Sequence, residues 1–352
     1  MKKTLFFAAG AILAMVACSK DETTGVNTGD GIEFRSAMGT RAEETTIDNL
    51  NDFKVTALNA AGGTYFSDEL FKKKAGGTTF FSDKTHYWPS DGVLSFYAYA
   101  PSSLAGVTID NTTKAVTFTP ETEINSQLDF ITGNASGSKA ENEGVGVGLA
   151  FTHRLSQIAV QAKNTNTAYV YKIKGVKIGQ PVSSGTFDFG TEAWTSLGSD
   201  KVDYTIEYDQ EITLGADAVN IMGTNAGKDT ENNAMLIPQQ LNAWNPVDDG
   251  TNTAKRAYLS VLVNIKTDSG TQMYPKASDE YGWAAVGINT QWAPNTKYVY
   301  TLDFSKGAGY VDPDSTPNDQ FEPGDIIFGA GIFFNVKVEP WTDADPQPGV
   351  EM

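Results

Sequence analysis

The sequence predicts an all-β chain, two β-sandwiches in tandem, and three observations carry that prediction. Apolar side chains recur at period two along short runs, the spacing that places them on one face of a strand. Turn residues punctuate the runs: 34 glycines and 14 prolines fall mostly between them. Helical periodicity is nearly absent, so the alternation of strands and helices that builds a parallel α/β sheet is missing. Strands repeating roughly every 8–12 residues with turns between them argue a sandwich. At 352 residues the chain is long enough for two such units, each with its own core.

The elements follow in chain order. Ile32 and Phe34 alternate with Glu33 and Arg35, and Phe53, Val55 and Ala57 alternate with Lys54 and Thr56. Asp68–Lys74 reads as a short helical turn. Val93–Ala100 is an aromatic-rich strand stopped by Pro101, and Val107–Ile109 with Ala115–Thr119 reads as a hairpin about Asn111-Thr112-Thr113-Lys114. Ile158–Ala162, Tyr169–Ile178, Tyr204–Tyr208, Ala234–Ile237, Ala257–Ile265 and Lys297–Phe304 are further strands, and Ile326–Val338 is the last. A polar stretch at Asn164–Thr167 separates two strong strands, which divides the chain into units at 31–165 and 166–352.

The N-terminus predicts export. Lys2 and Lys3 precede an apolar or small run from Leu5 to Val16, too short to span a bilayer but suited to a signal peptide over residues 1–17. Met15-Val16-Ala17-Cys18 resembles the bacterial lipobox, and Cys18 is the only cysteine of the chain. Cys18 is therefore the expected lipidation site. Acyl chains such as palmitate contribute roughly 0.8 kcal/mol per buried CH₂, so multiple chains hold firmly to an outer membrane. Residues 18–30 are polar and small, a flexible tether. Their Ser19-Lys20-Asp21-Glu22 resembles the signal that sends lipoproteins of Bacteroides-type bacteria to the cell surface.

Composition and cysteine count exclude several functions. One cysteine allows neither an intramolecular disulfide nor a thiolate metal cluster. The net charge of −17, more negative still once Lys2 and Lys3 are removed, opposes nucleic acid as a partner. The two histidines, His86 and His153, lie far apart in aromatic or strand-entry segments and read as packing residues. Asp312-Pro313-Asp314, with Asn318, Asp319 and Glu322, alternates oxygen ligands as calcium loops do. Its prolines interrupt that spacing, so it reads first as a solvated acidic loop, with a calcium site as the alternative. No nucleophile elbow, phosphate-binding loop or zinc-protease motif occurs, so no enzyme or cofactor is predicted.

Several segments, in order, resemble the fimbrillin family, the type V pilus subunits of Bacteroides-type bacteria. They are Ile32-Glu33-Phe34, Thr40-Arg41-Ala42, Phe53–Ala57, Tyr87-Trp88-Pro89 and Leu94–Tyr99. Phe151–Val160, Met235–Gln239, Asn295–Leu302 and Val336–Trp341 complete the series. The resemblance implies two transthyretin-like sandwiches and a lipoprotein precursor at the outer membrane, cut by an arginine-specific protease. Cutting implies release of a first strand carrying Ile32 and Phe34, and a hydrophobic groove filled by a neighbouring subunit's terminal strand. The mature protein would then be a fimbrial subunit at the cell surface, supporting adhesion, its partners being copies of itself or related subunits.

The residues can be set against that scheme. Arg41 lies among small and polar residues suited to an exposed loop, where it reads as a cleavage site or simply as a surface arginine. Phe328, Ile332, Phe334, Val336 and Val338 share one face of a candidate donor strand at 326–339. Each large apolar side chain buried there contributes roughly 1.5–3 kcal/mol, and main-chain pairing adds register. The same alternation suits the last strand of the second unit. The alternative function is a monomeric surface lipoprotein that binds glycans or host proteins through its loops.

Overall fold

The computed structural model describes residues 29–38, 50–223, 232–277, 280–316 and 320–341. It is nearly all strand. The first eight strands are β1 (Phe34–Met38), β2 (Asp52–Asn59), β3 (Thr64–Lys73), β4 (Thr79–Phe81), β5 (Val93–Ala100), β6 (Ala115–Phe118), β7 (Ile131–Ser138) and β8 (Val147–His153). Next come β9 (Ser156–Lys163), β10 (Tyr169–Gly179), β11 (Gly185–Asp188), β12 (Ala193–Leu197), β13 (Tyr204–Thr213), β14 (Val219–Asn220) and β15 (Ala234–Leu236). The remainder are β16 (Tyr258–Thr267), β17 (Gln272–Tyr274), β18 (Gly282–Gly287), β19 (Thr296–Asp303), β20 (Tyr310–Val311) and β21 (Phe333–Pro340). Among the described residues, no helix is long and apolar enough to cross a membrane.

Seven strands close into a barrel in the order β1-β4-β3-β2-β5-β7-β8, with β1 returning to β8. Alternation decides which side chains fill it. Phe53, Val55 and Ala57 of β2 point inward with Leu94, Phe96 and Ala98 of β5. The opposite face of β5 is also covered, because Tyr99 packs into a second cluster with Phe118, Phe130, Phe187, Phe189 and Trp341. Burial on both faces explains why β5 is apolar almost throughout.

The later strands form two sheets around one core. One has the order β13-β10-β16-β18-β20 with β17 beside β16, and the other β14-β9-β19-β21 with β15 beside β9. Ile173, Val176 and Ile178 of β10 face Ile158 and Val160 of β9 and Tyr300 and Leu302 of β19 within it. A small sheet, β12-β11-β6, carries chain from before β9 onto strands that follow it.

Four sequence expectations change. Among the described residues the strands that pair with β9 are β14, β15 and β19, so sheet membership switches at Arg154–Leu155, earlier than the polar stretch at 164–167. The reason is apolar: Ile158, Val160 and Ala162 are buried in the later core. Second, the turn at residues 111–114 forms, held by Thr112 and Thr113 amides donating to Asp110 Oδ1 at 2.9 and 2.7 Å. The hairpin does not form, because β6 pairs instead with β11 and buries Val116 and Phe118 beside Phe130 and Phe187. Third, Asp68–Lys74 is extended rather than helical. Asp68 makes a bulge there with φ 51°, its amide donating to Thr56 Oγ1 at 3.0 Å. Fourth, the last strand is β21 alone, and residues 326–332 are not part of it.

The barrel's centre is a cluster of phenylalanines around Phe34, which is fully buried and meets Phe71, Phe96 and Phe53 at 4.7, 5.1 and 5.9 Å, each edge-to-face. Phe34→Ala is expected to destabilise the chain by about 3–5 kcal/mol, read from denaturant unfolding. A loss below about 1 kcal/mol would mean that the cluster does not carry the barrel.

Candidate functional site

The chain's first and last described strands are the candidate assembly elements. β1 is short, yet it has partners on both sides. It runs parallel to β8 in the register Phe34↔Val147 to Met38↔Phe151, and antiparallel to β4 through Phe34↔Phe80 and Arg35↔Thr79. Just before it, the Ile32 amide donates to the His86 carbonyl at 2.7 Å, and Val147 N–H donates to the Glu33 carbonyl at 2.9 Å. Ile32 and Phe34 are both buried in the barrel core. Without β1 the barrel path breaks between β4 and β8, leaving unpaired backbone groups beside an apolar trench. Arg41 falls in residues 39–49, and Cys18 in residues 1–28, both outside the described residues.

β21 occupies a sheet edge. It pairs antiparallel with β19 along its whole length, from Thr296↔Pro340 to Asp303↔Phe333, and among the described residues no strand lies on its other edge. Phe334 and Val336 are half-buried against the core, and Phe334 lies 6.0 Å from the Tyr300 ring. Val338 and Phe333 are 59 % and 55 % exposed. Ile332 is buried just ahead of the strand.

Phe328 belongs to a different packing environment. Its ring lies 4.7 Å from Tyr169 and 6.5 Å from Tyr171 of β10. The chain there folds back along residues 306–310, with Ala308 N–H donating to the Phe328 carbonyl and Ala330 N–H to the Lys306 carbonyl. Gly329 has φ 67°, which an extended strand cannot accommodate, so the alternation of 326–339 spans two conformations. Phe328 therefore does not share a strand with Phe334, Val336 and Val338.

At its end, β21 is tied to the barrel side. Trp341 is buried and stacks on His153 at 4.5 Å with an 8° interplanar angle, and His153 Nδ1 lies 2.6 Å from Asp129 Oδ2. His153 is thus a packing residue with a buried acidic partner. Next to it, the Arg154 guanidinium lies 5.0 Å from the Phe187 ring and donates through Nε to Thr132 Oγ1. Burial lowers the pKa of that guanidinium, the Glu192 carboxylate opposing. His86 stacks near Phe66 at 4.4 Å with Nε2 3.3 Å from Glu69, another packing position. Trp341 closes the candidate strand in the sequence, but its stack on His153 has no local signal there.

The acidic loop is not solvated as expected. Asp312 is fully buried with Oδ2 2.8 Å from Lys177 Nζ, and Asp314 accepts a hydrogen bond from the Tyr258 hydroxyl. Asn318 and Asp319 lie outside the described residues, and the Glu322 amide donates to Asp325. Among the described residues, no group of three or more His, Cys, Asp or Glu side chains could hold a metal ion.

The geometry separates tightly held from loosely held positions on the last strand. Trp341→Ala is expected to cost about 3–5 kcal/mol and to raise amide exchange along β21. Val338→Ala, exposed, should stay within about 0.5 kcal/mol in the same melt. Equal effects of the two would contradict the reading of Trp341 as the anchor.

Comparison with known proteins comes from a family model and from solved structures. The model of the fimbrillin-like family matches residues 40–341. Similar solved structures include a cell-adhesion candidate from Bacteroides ovatus, 14% identical with a TM-score of 0.48, covering 90% of this chain and 99% of that one. A cell-adhesion candidate from Parabacteroides distasonis is 11% identical with a TM-score of 0.49, covering 91% and 98%. A fimbrilin from Porphyromonas gingivalis is 15% identical with a TM-score of 0.43, covering 91% and 99%. No curated protein matches. The family model spans most of the sequence, and the chain belongs to the fimbrillin-like family.

Proposed function

We propose that the chain is a structural subunit of a surface pilus, exported as a precursor lipidated at Cys18 and assembled by strand exchange after cleavage at Arg41. The observation that carries this reading is the position of β1, which alone closes the barrel between β4 and β8. By sequence, Arg41 lies between β1 and β2, so a cut there leaves β1 attached to the lipid side of the chain and held to the barrel only by noncovalent contacts. Departure of β1 exposes the edges of β8 and β4 and empties the sites of Ile32 and Phe34. Such an edge is a template for an added strand.

The two ends carry a common pattern. Ile32-Glu33-Phe34 ahead of and within β1 matches Ile332-Phe333-Phe334 at the start of β21, isoleucine and phenylalanine two residues apart. At period two that pair falls on one face, so the β21 segment of a neighbour can offer the groove the same two side chains. Val336 follows on that face. In the uncut chain β21 is an edge strand, and its departure uncovers β19 without breaking a closed path. The adhesive role of the assembled fibre rests on family membership.

Digestion of the full-length precursor with an arginine-specific protease tests the reading. The expected product starts at Ala42 and forms ladders of chain multiples that grow with protein concentration, whereas Arg41→Ala stays monomeric under the same protease. A chain cut at Arg41 that remains monomeric would contradict assembly and favour the glycan-binding alternative, checked by retention on a glycan column.

A further inference from the structure

The outer face of the β13-β10-β16-β18-β20 sheet holds a cluster that the assembly reading does not use. Lys177 is in β10, paired with Ser260 of β16, which pairs with Ala285 of β18, which pairs with Tyr310 of β20. The neighbours Val176 and Ile178 are in the core, so Lys177 projects from the other face. Its side chain is only 11 % exposed and lies across that face to reach Asp312, just after β20. The Trp283 and Tyr258 rings flank Nζ at 4.9 and 5.8 Å from their centroids.

The contact is close but poorly satisfied. Nζ and Oδ2 are 2.8 Å apart, yet no donor aligned for a hydrogen bond reaches Oδ2, and Asp312 has no exposure to solvent. Asp312 Oδ1 is occupied by the Asp314 amide at 2.9 Å. Removing two opposite charges from water is costly and is offset only by good geometry with every lone pair satisfied. An amide between the same two side chains would carry no charge.

We propose that Lys177 and Asp312 condense to an intramolecular isopeptide bond. Nζ gives up a proton within the cluster and attacks Cγ of the protonated carboxyl. A C–N bond forms, one Cγ–O bond breaks, and that oxygen leaves as water with its own hydrogen and one from Nζ. No oxidant, cofactor or other reactant is required. Holding amine and carboxyl in contact away from solvent supplies the effective concentration that such a condensation lacks in water.

Asp203 is the proton relay. Its carboxyl accepts from Gln180 Nε2 at 2.9 Å and lies 3.4 Å from the Tyr258 hydroxyl, which donates to Asp314 at 2.7 Å. Burial raises the Asp203 pKa; Lys177 opposes this, and Asp314 and Asp312 add to it. A carboxyl held toward its protonated form, and near enough for its charge to couple to Lys177 and Asp312, can return the proton it takes. Burial and the neighbouring carboxylates push the Tyr258 hydroxyl far above its usual pKa, so it serves as a donor only.

The bond would join β10 to the chain after β20, enclosing the strands between them and leaving β21 outside. It does not depend on the assembly reading. A linked chain that never polymerises, or an unlinked chain that does, distinguishes the two.

Mass spectrometry of a tryptic digest of the full-length folded chain tests the bond. The expected result is one joined species containing Lys177 and Asp312, lighter than the two peptides by one water, about 18 Da, with no cleavage after Lys177. Lys177→Arg, shown folded by circular dichroism, should give only separate peptides, and Asp203→Ala should slow linkage at least tenfold. Separate peptides from the wild-type chain would overturn the proposal, as would a joined species of the same mass change in Lys177→Arg.

Discussion

Phe34 sits where three other phenylalanines converge, on a strand that is itself only Phe34–Met38. A strand that short has no independent stability, so its place depends on what surrounds it. The dependence also runs the other way. β4 contributes only three residues and β8 has few pairs to β7, so β1 is what joins those two edges. The barrel is closed by an element that the chain supplies from outside the compact run of β2 to β8. Closure of the barrel therefore rests on the pairings of one five-residue strand.

The later half uses a different logic. β9 and β19 form a long parallel pair through the middle of their sheet, from Thr296↔Ser156 to Asp303↔Lys163. β21 is added on the outside of that pair, so its loss shortens a sheet and opens no closed path. Trp341 ties its end to His153, the last residue of β8. Both terminal strands therefore report to the same region of the molecule, β1 through backbone pairing with β8 and β21 through the stack at its end. Charged Lys337 and Glu339 with Pro340 on the free edge discourage uncontrolled pairing.

Much of this was legible in the sequence where alternation was undisturbed. Phe53, Val55 and Ala57 follow period two and lie inside the barrel as the pattern requires, and Leu94, Phe96 and Ala98 join them from a run that is apolar almost throughout. β7, read from Ile-Thr-Gly-Asn-Ala-Ser-Gly-Ser, carried no such signal, because its residues answer to neighbours rather than to local propensity. A Cβ at Gly137 would meet Trp88 at 2.9 Å and Asn142 at 2.7 Å, so a larger residue there forces those side chains to move. Residues 326–332 failed in the opposite direction. Their alternation imitated a strand, but Gly307 lies so close to Ala330 that a Cβ would strike its backbone at 2.0 Å, and the segment folds back. The Lys177–Asp312 contact spans three pairings across a sheet, and no local pattern encodes it.

Hydrogen–deuterium exchange before and after cleavage at Arg41 tests most directly whether β1 is a removable closure. Amides of Val147–His153 are predicted to lose protection once the released segment is removed from a cut chain kept dilute enough to stay monomeric, while β16 and β19 keep theirs. Protection of Val147–His153 should return as the concentration is raised and cut chains supply their β21 to one another. Unchanged protection of Val147–His153 in that monomeric cut chain would contradict a removable closure.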